Sequence, residues 1–198
     1  MAIQSAIVSN PPQSRYLPPT VERAIPALRR VGHICRWAQG VLGLIATFSF
    51  LFAVFVAASG KPEGVASPES GLSGFLAIAS LAALGIGFFW SSRYIALSRQ
   101  LANPEARPKK SETLLLIERG LIINLVGMLF SLLAAETIAG FLMAKAALSS
   151  GVTFSDLAQK TLIQPVDVLV LLANTQTLVA HFTGLVASLW LLRWLNKS

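Results

Sequence analysis

Long apolar runs dominate the pattern of hydrophobic and polar positions along this chain. Four runs of 23 to 25 residues carry almost no formal charge, at residues 37–60, 70–92, 120–144 and 168–192. Each run is long enough to cross a ~30 Å hydrocarbon core as a helix. The pattern therefore predicts an all-α integral membrane protein, with a single four-helix bundle over residues 20–198. Residues 1–19 hold four prolines among polar residues and are predicted to form a disordered tail.

A polar stripe runs along the fourth apolar segment. Its members recur at steps of three, four, three and four residues: Asn174, Thr177, His181, Gly184 and Ser188. At 100° per residue they fall within about 80° of one another, on one face of a helix. Gln176 adds a further polar side chain close to this face. Two interpretations stay open: a polar site on a permeation path, and interhelical hydrogen bonding worth about 0.6 kcal/mol for each residue.

Glu136 is the one formal charge well inside a predicted span. A charged side chain at the bilayer centre costs roughly 2.5–3.5 kcal/mol, so we expect the carboxyl group to face protein or water, or to be protonated. Counting from the span centres places His181 at the midplane, and Glu136 and Asn174 about 6 and 9 Å to one side of it. This depth match predicts that the three side chains meet, if their helices face each other, as ligands for a transported divalent metal such as iron.

The distribution of basic residues predicts the orientation in the membrane. Thirteen of the 16 Lys and Arg residues lie before the first span, between the second and third, or after the fourth. Only Lys61, Lys145 and Lys160 lie in the other two connections. The positive-inside rule therefore places both termini in the cytoplasm or an equivalent compartment. We expect the net charge of +7 to favour anionic headgroups as partners.

The segment at residues 20–36 combines an apolar helical face with four arginines, Arg23, Arg29, Arg30 and Arg36. This composition is typical of a basic helix that lies on the inner membrane surface, with the arginines anchoring it to anionic headgroups. Pro26 is expected to kink or split such a helix. The alternative is that the segment extends the first span into the cytoplasm.

Other function classes find no support in the sequence. It contains no glycine-rich phosphate loop, no HExxH motif and no second carboxylate inside a span, so we expect neither an enzyme nor a bound cofactor. Cys35 is the only cysteine, which excludes an intrachain disulfide. The basic residues follow helix ends, so we expect no nucleic-acid partner. Because four helices pack around a filled core, conduction would require a homo-oligomer or another membrane subunit.

Two passages carry a resemblance to a known family. They are residues 120–140, GLIINLVGMLFSLLAAETIAG, and residues 164–192, QPVDVLVLLANTQTLVAHFTGLVASLWLL. With residues 19–30, Trp37 and Gln39, they resemble the four-span chloroplast inner-envelope family called the translocon component or permease-in-chloroplasts family. The resemblance covers about residues 18–195. We expect the cyanobacterial form rather than the plant form, because the sequence shows no long transit peptide like that of the plant form.

The resemblance implies an integral protein of a cyanobacterial inner or thylakoid membrane rather than of a plastid inner envelope. For the plant relatives it implies either iron permeation or a role in importing precursor proteins. We therefore expect a transport-related protein that permeates iron or another divalent metal as an oligomer. The alternative is a non-conducting assembly subunit of a protein-translocation complex.

Overall fold

The computed structural model describes residues 17–59, 68–149 and 165–197 of the chain. They form four long helices: α1 (Pro19–Ser59), α2 (Pro68–Ala102), α3 (Lys110–Ser149) and α4 (Pro165–Lys197). All four are long and apolar enough to cross a membrane. The all-α class is therefore confirmed, as is the prediction of four helices that are long and apolar enough to span a membrane. Residues 1–16, which make up most of the predicted tail, lie outside the described residues.

The helices form an up-and-down bundle in which chain neighbours are also neighbours in space. α1 packs against α2 and α4, and α3 packs against the same two helices from the opposite side. α2 and α4 also touch each other across the bundle, whereas α1 and α3 occupy opposite corners of the described bundle. The start of α1 and the end of α4 share one end, because Ala24 and Leu195 belong to the same buried cluster.

The inward-facing positions alternate in steps of four and three residues. In α3 they are Thr113, Ile117, Gly120, Asn124, Gly127, Ser131, Ala134 and Ile138. In α4 they are Asn174, Thr177, His181, Gly184, Ser188, Leu191 and Leu195, with Ala173 and Ala180 buried beside them. A repeat of 3.5 residues is the spacing of a coiled-coil seam. Glycine, alanine and serine at these positions let the helix backbones approach closely, as interfaces between membrane helices do.

The composition of the core changes along the bundle axis. At the basic end the core is apolar and receives side chains from all four helices: Ala24, Leu28, Tyr94, Leu97, Leu101, Ile117, Leu191 and Leu195. Towards the middle it contains buried polar side chains such as Gln39, Asn124 and His181. The hydrophobic effect stabilises apolar packing only where water is the alternative environment. In lipid, close packing and interhelical hydrogen bonds hold helices together instead.

Residues 20–36 extend the first span and do not form a surface helix. α1 is continuous from Pro19 to Ser59, and Leu28 and Cys35 on this segment are buried in the bundle. The helix is therefore not split at Pro26, in contrast to one of the two outcomes predicted for this residue. The apolar face of the segment packs against the long ends of the other three helices, and this contact outweighs the single backbone hydrogen bond that Pro26 removes.

Replacing Pro26 with alanine is expected to stabilise the protein. Proline in a helix interior is less favourable than alanine by up to ~3 kcal/mol, and Pro26 is exposed within a helix that remains continuous around it. We expect Pro26→Ala to raise the thermal unfolding temperature in detergent. Pro104→Ala, in the connection between α2 and α3, is the control and should change it little. An unchanged unfolding temperature for Pro26→Ala would contradict a continuous α1.

Candidate functional site

The polar stripe of α4 faces the interior of the bundle, as its spacing predicts. Asn174, Thr177, His181 and Ser188 are all buried, and Gln176 beside them is half-buried. Thr177 and Ser188 donate hydrogen bonds to the carbonyl oxygens of Ala173 and Gly184, one turn earlier in the same helix. Asn174 and His181 instead reach across to other helices. Ser188 also lies 3.0 Å from the hydroxyl group of Tyr94 on α2, so Asn174, His181 and Ser188 link α4 to its neighbours through their side chains.

His181 is fully enclosed, with 0% of its surface exposed, as is Ser188 on the same helix. Its Nε2 lies 3.2 Å from the carbonyl oxygen of Ser80 on α2. Because a carbonyl oxygen only accepts, Nε2 carries a proton and donates it. Its Nδ1 lies 3.4 Å from Oδ1 of Asn124 on α3, a long contact. The imidazole thus has oxygen atoms from two other helices at its two nitrogens.

Asn124 is the junction of the polar interior. Its side-chain Nδ2 donates to the carbonyl oxygen of Gly120 at 2.8 Å, which fixes Oδ1 as the atom that faces inward. Oδ1 accepts a hydrogen bond from Nε2 of Gln39 at 2.8 Å. Gln39 Oε1 in turn accepts from the hydroxyl of Ser91 on α2. One continuous set of side chains therefore connects α1, α2, α3 and α4, and it bridges the opposite corners occupied by α1 and α3.

Three glycines make room for this group of side chains. A Cβ atom on Gly127 would overlap the imidazole ring of His181, and one on Gly184 would overlap the amide of Asn124. A Cβ on Gly87 would lie 3.3 Å from both Asn124 Oδ1 and Gln39 Nε2. The glycines come from α2, α3 and α4. At each of them the missing side chain leaves space that a polar side chain of another helix occupies. The interior is filled with side chains at this depth.

Further polar contacts lie on either side of this junction. Away from the basic end, the hydroxyls of Ser80 and Ser131 share a hydrogen bond, and Asn174 Nδ2 donates to the Ser131 carbonyl oxygen at 2.9 Å. Asn174 Oδ1 is buried and has no hydrogen-bond partner among the described residues. Towards the basic end, the hydroxyl groups of Tyr94 and Ser188 lie 3.0 Å apart.

Glu136 does not join the polar stripe. It is exposed on the outer surface of α3, about 160° around the helix from the centre of the buried face. The prediction that it meets His181 and Asn174 was wrong because depth alone was matched. Asn174 and His181 do not meet at one point either, because seven residues separate them by about 10 Å along the helix. Within the described part of the chain, no three His, Cys, Asp or Glu side chains group as metal ligands.

Several residues of the polar interior were not singled out as site residues from the sequence. Gln39, Ser80, Ser91 and Ser131 each look unremarkable within an apolar run. The signal that identifies them is their register: Ser80, Gly87 and Ser91 on α2, like Gly127 and Ser131 on α3, lie on the buried face with its steps of three and four residues. Small and polar residues that share this register mark the inward face of a membrane helix.

The four arginines predicted to anchor the chain lie on the surface. Arg23, Arg29, Arg30 and Arg36 are all exposed along the first half of α1. The guanidinium carbon of Arg36 lies 5.7 Å from the centre of the Phe88 ring, within the range of a cation–π contact. On α2, Arg93 lies at a similar distance from the Trp90 ring. The basic end of the bundle thus combines exposed cations with aromatic rings, as membrane–water interfaces do.

Comparison with known proteins gives one family and one informative relative. The model of a family described as "Protein of unknown function (DUF3611)" matches residues 18–196. The chain is also 33% identical over 179 residues to "Protein TIC 21, chloroplastic" from Arabidopsis thaliana, covering 87% of this chain and 58% of that protein. No solved structure matches. Together these matches confirm the resemblance to the chloroplast envelope family, and the chain belongs to the DUF3611 family.

Proposed function

We propose that this protein is one subunit of a homo-oligomeric permease for a divalent metal cation, with iron as the favoured cargo. The observation that carries the proposal is Glu136, an exposed carboxyl group on the outer surface of a membrane-spanning helix. A carboxylate facing hydrocarbon is costly, and such residues face protein or a water-filled path. A neighbouring copy of the chain provides that environment.

The single bundle is a poor path for a cation. Its interior at the level of His181 is filled, and Gln39, Asn124 and His181 contact one another or backbone carbonyls. A cation crossing there would have to break this set of contacts. Between copies, in contrast, Glu136 would contribute one carboxylate from each subunit. In such an oligomer the Glu136 carboxylates surround the symmetry axis, where they provide the oxygen ligands that divalent iron and manganese accept.

We place the protein in the inner or thylakoid membrane of a cyanobacterium, with both termini in the cytoplasm. The similarity to a chloroplast protein supports a photosynthetic membrane system. The excess of basic residues at the end that holds both termini supports the orientation, because positively charged segments stay on the cytoplasmic side.

A second candidate is a non-conducting assembly subunit of a protein-translocation complex. It is favoured by the internal hydrogen bonding of the polar stripe, which leaves Thr177, His181 and Ser188 already engaged within the chain. In this role the outer surface of the bundle packs against other membrane subunits, and Glu136 pairs with a basic group on one of them. The two candidates differ in whether purified protein moves metal.

Replacing Glu136 with glutamine is expected to slow metal uptake about tenfold, because a neutral amide replaces a charged ligand and the loss of such a contact is worth at least ~1.5 kcal/mol. The measurement uses purified protein in liposomes that contain an Fe²⁺-sensitive dye. Glu118→Gln is the matched control, since Glu118 is also exposed on α3 but lies at its basic end.

Uptake by the wild type that is lost only in Glu136→Gln supports the permease. Two results contradict it: equal rates for both glutamine variants, or no uptake by well-folded wild-type oligomers. If the wild type moves no metal and co-purifies with other membrane subunits through a contact that Glu136→Gln weakens, the assembly role is the better description.

A further inference from the structure

A cavity of about 150 Å³ lies at the basic end of the bundle, away from the polar interior. The beginnings of α1 and α3 and the ends of α2 and α4 surround it, together with the connection between α2 and α3. Most of its wall is apolar, with Val21, Ala24, Leu101, Leu114 and Leu195 among the lining residues. The volume is well beyond the ~10–15 Å³ that a single water needs.

Thr113 gives the cavity an unsatisfied polar group. The side chain lines the cavity, is only 4% exposed, and its Oγ1 has no hydrogen-bond partner among the described residues. Threonine in a helix usually satisfies its hydroxyl by bonding to a carbonyl one turn earlier, as Thr137, Thr175 and Thr183 do in this protein. A buried hydroxyl without a partner is destabilising. The orphaned Oγ1 therefore points to a ligand atom that accepts its proton.

The charge around the cavity indicates what kind of ligand this is. Arg107 and Lys110 line it, and no Asp or Glu is among its lining residues. Arg107 donates through Nε to the Leu101 carbonyl oxygen, which leaves its terminal nitrogens for a ligand. The nearby carboxylate of Glu112 accepts instead from the backbone nitrogen of Lys109. Two cations and the unsatisfied hydroxyl of Thr113 at the edge of an apolar cavity are complementary to an anionic group that carries an apolar chain.

The depth of the cavity matches the headgroup layer. Leu195 lies 14 residues from His181, which is about 21 Å along the α4 axis. With His181 near the midplane, as the span centres indicate, this level is outside the hydrocarbon core, whose half-thickness is ~15 Å. It is still within half of the ~40–45 Å that includes the headgroups. The phosphate groups of membrane lipids occupy this layer.

We propose that this cavity binds the phosphate group of an anionic membrane phospholipid. Thr113 Oγ1 donates a hydrogen bond to a phosphate oxygen, and Arg107 and Lys110 balance its charge. The start of an acyl chain lies along the apolar wall. The site is separate from Glu136 and from the polar interior, so it is independent of the proposed transport role. A bound lipid here joins all four helices at the basic end.

The test measures lipid binding by the full-length protein in detergent, by native mass spectrometry and by the rise in unfolding temperature. We expect phosphatidylglycerol to bind about tenfold more tightly than zwitterionic phosphatidylcholine. Thr113→Val should weaken phosphatidylglycerol binding about tenfold, because a hydrogen bond to a charged group is lost, and Thr113→Ser should retain it. Without lipid, Thr113→Val should melt at the same temperature as the wild type or higher, since it removes an unsatisfied hydroxyl.

A second pair of variants should not disturb folding, because both substituted residues are exposed. Lys110→Gln, within the cavity lining, should weaken binding about threefold, and Lys109→Gln, outside the lining, should not. Three results would overturn the proposal. They are equal affinity for the two lipids, full phosphatidylglycerol binding by both Thr113→Val and Lys110→Gln, and full stabilisation by inorganic phosphate alone, which would identify a free anion as the ligand.

Discussion

Gly127→Ala is expected to destabilise the protein by about 2 kcal/mol and to lower its unfolding temperature by about 4–8 °C. The added methyl group would overlap the ring of His181, and His181 is fully buried between the helices. Either α3 and α4 separate, or the imidazole leaves its contact with the Ser80 carbonyl oxygen. Both changes remove stabilising contacts from the centre of the bundle.

The chain offers its own reporter and control for this experiment. Cys35 is the only cysteine and is buried, so a thiol-reactive fluorescent dye labels it only as the protein unfolds. Gly140→Ala, on the same helix, meets no atom within 4 Å. It should leave stability unchanged or raise it by about 0.5–1 kcal/mol, because alanine is the better helix former. Equal melting of the two variants would contradict the close approach of His181 to α3.

Asn124→Ala is the second substitution with a large expected effect, a loss of about 1–3 kcal/mol. Alanine removes the acceptor of the Gln39 amide, and no water is present in the hydrocarbon layer to replace it. A buried polar group left without a partner costs about this much. The loss should appear in the same dye-based unfolding experiment.

Asn174→Ala is the matched comparison, because Asn174 is equally buried but makes a single hydrogen bond and already has an unsatisfied Oδ1. Its loss should be smaller than that of Asn124→Ala. A double-mutant cycle between Gln39→Ala and Asn124→Ala should give a coupling energy of about 0.5–1.7 kcal/mol, the range found for hydrogen bonds between membrane helices. A coupling near zero, or a larger loss for Asn174→Ala, would show that Asn124 is not the junction.

The sequence predicts those features of the fold that the lipid environment determines, namely the number of the helices and the inward face of α4. A helix must be about 20 apolar residues long to cross the bilayer, so the four runs of 23 to 25 residues identify the four helices directly. The inward face of α4 was predictable as well. Asn174, His181 and Ser188 share one side of that helix by spacing alone, and polar groups in a span are stabilised when they turn away from lipid.

The direction in which Glu136 points was not predictable from its depth. Residue counting gives the height of a side chain in the membrane, whereas its position around the helix depends on which face of α3 packs inward. α3 is apolar on every side, so hydrophobicity does not distinguish the faces. The distinction lies in the small and polar residues Gly120, Asn124, Gly127 and Ser131, which all lie on the buried side. Glu136 is outside their register.

That residues 20–36 continue the first helix of the bundle was not predictable for a different reason. Taken alone, a basic amphipathic segment with an internal proline suits a membrane surface. Its apolar face has a better partner only because α2, α3 and α4 also continue past their apolar runs and place Tyr94, Ile117 and Leu195 in the same buried cluster. The partners of this segment lie on three helices that are distant in the sequence, so residues 20–36 alone do not predict the packing.

The polar contacts also bear on how the bundle is assembled during biogenesis. Along the chain, α1 with α2 and α3 with α4 form two successive helical hairpins. The contacts of Gln39 with Asn124, of Ser80 with His181, and of Tyr94 with Ser188 all run from one hairpin to the other. When the first hairpin enters the bilayer before the second, its polar groups gain these partners only once the second has arrived. A hairpin from another protein, equally hydrophobic but without donors and acceptors at these positions, would leave the polar groups of the first hairpin without hydrogen bonds. The hydrogen bonds therefore make the pairing of the two hairpins selective.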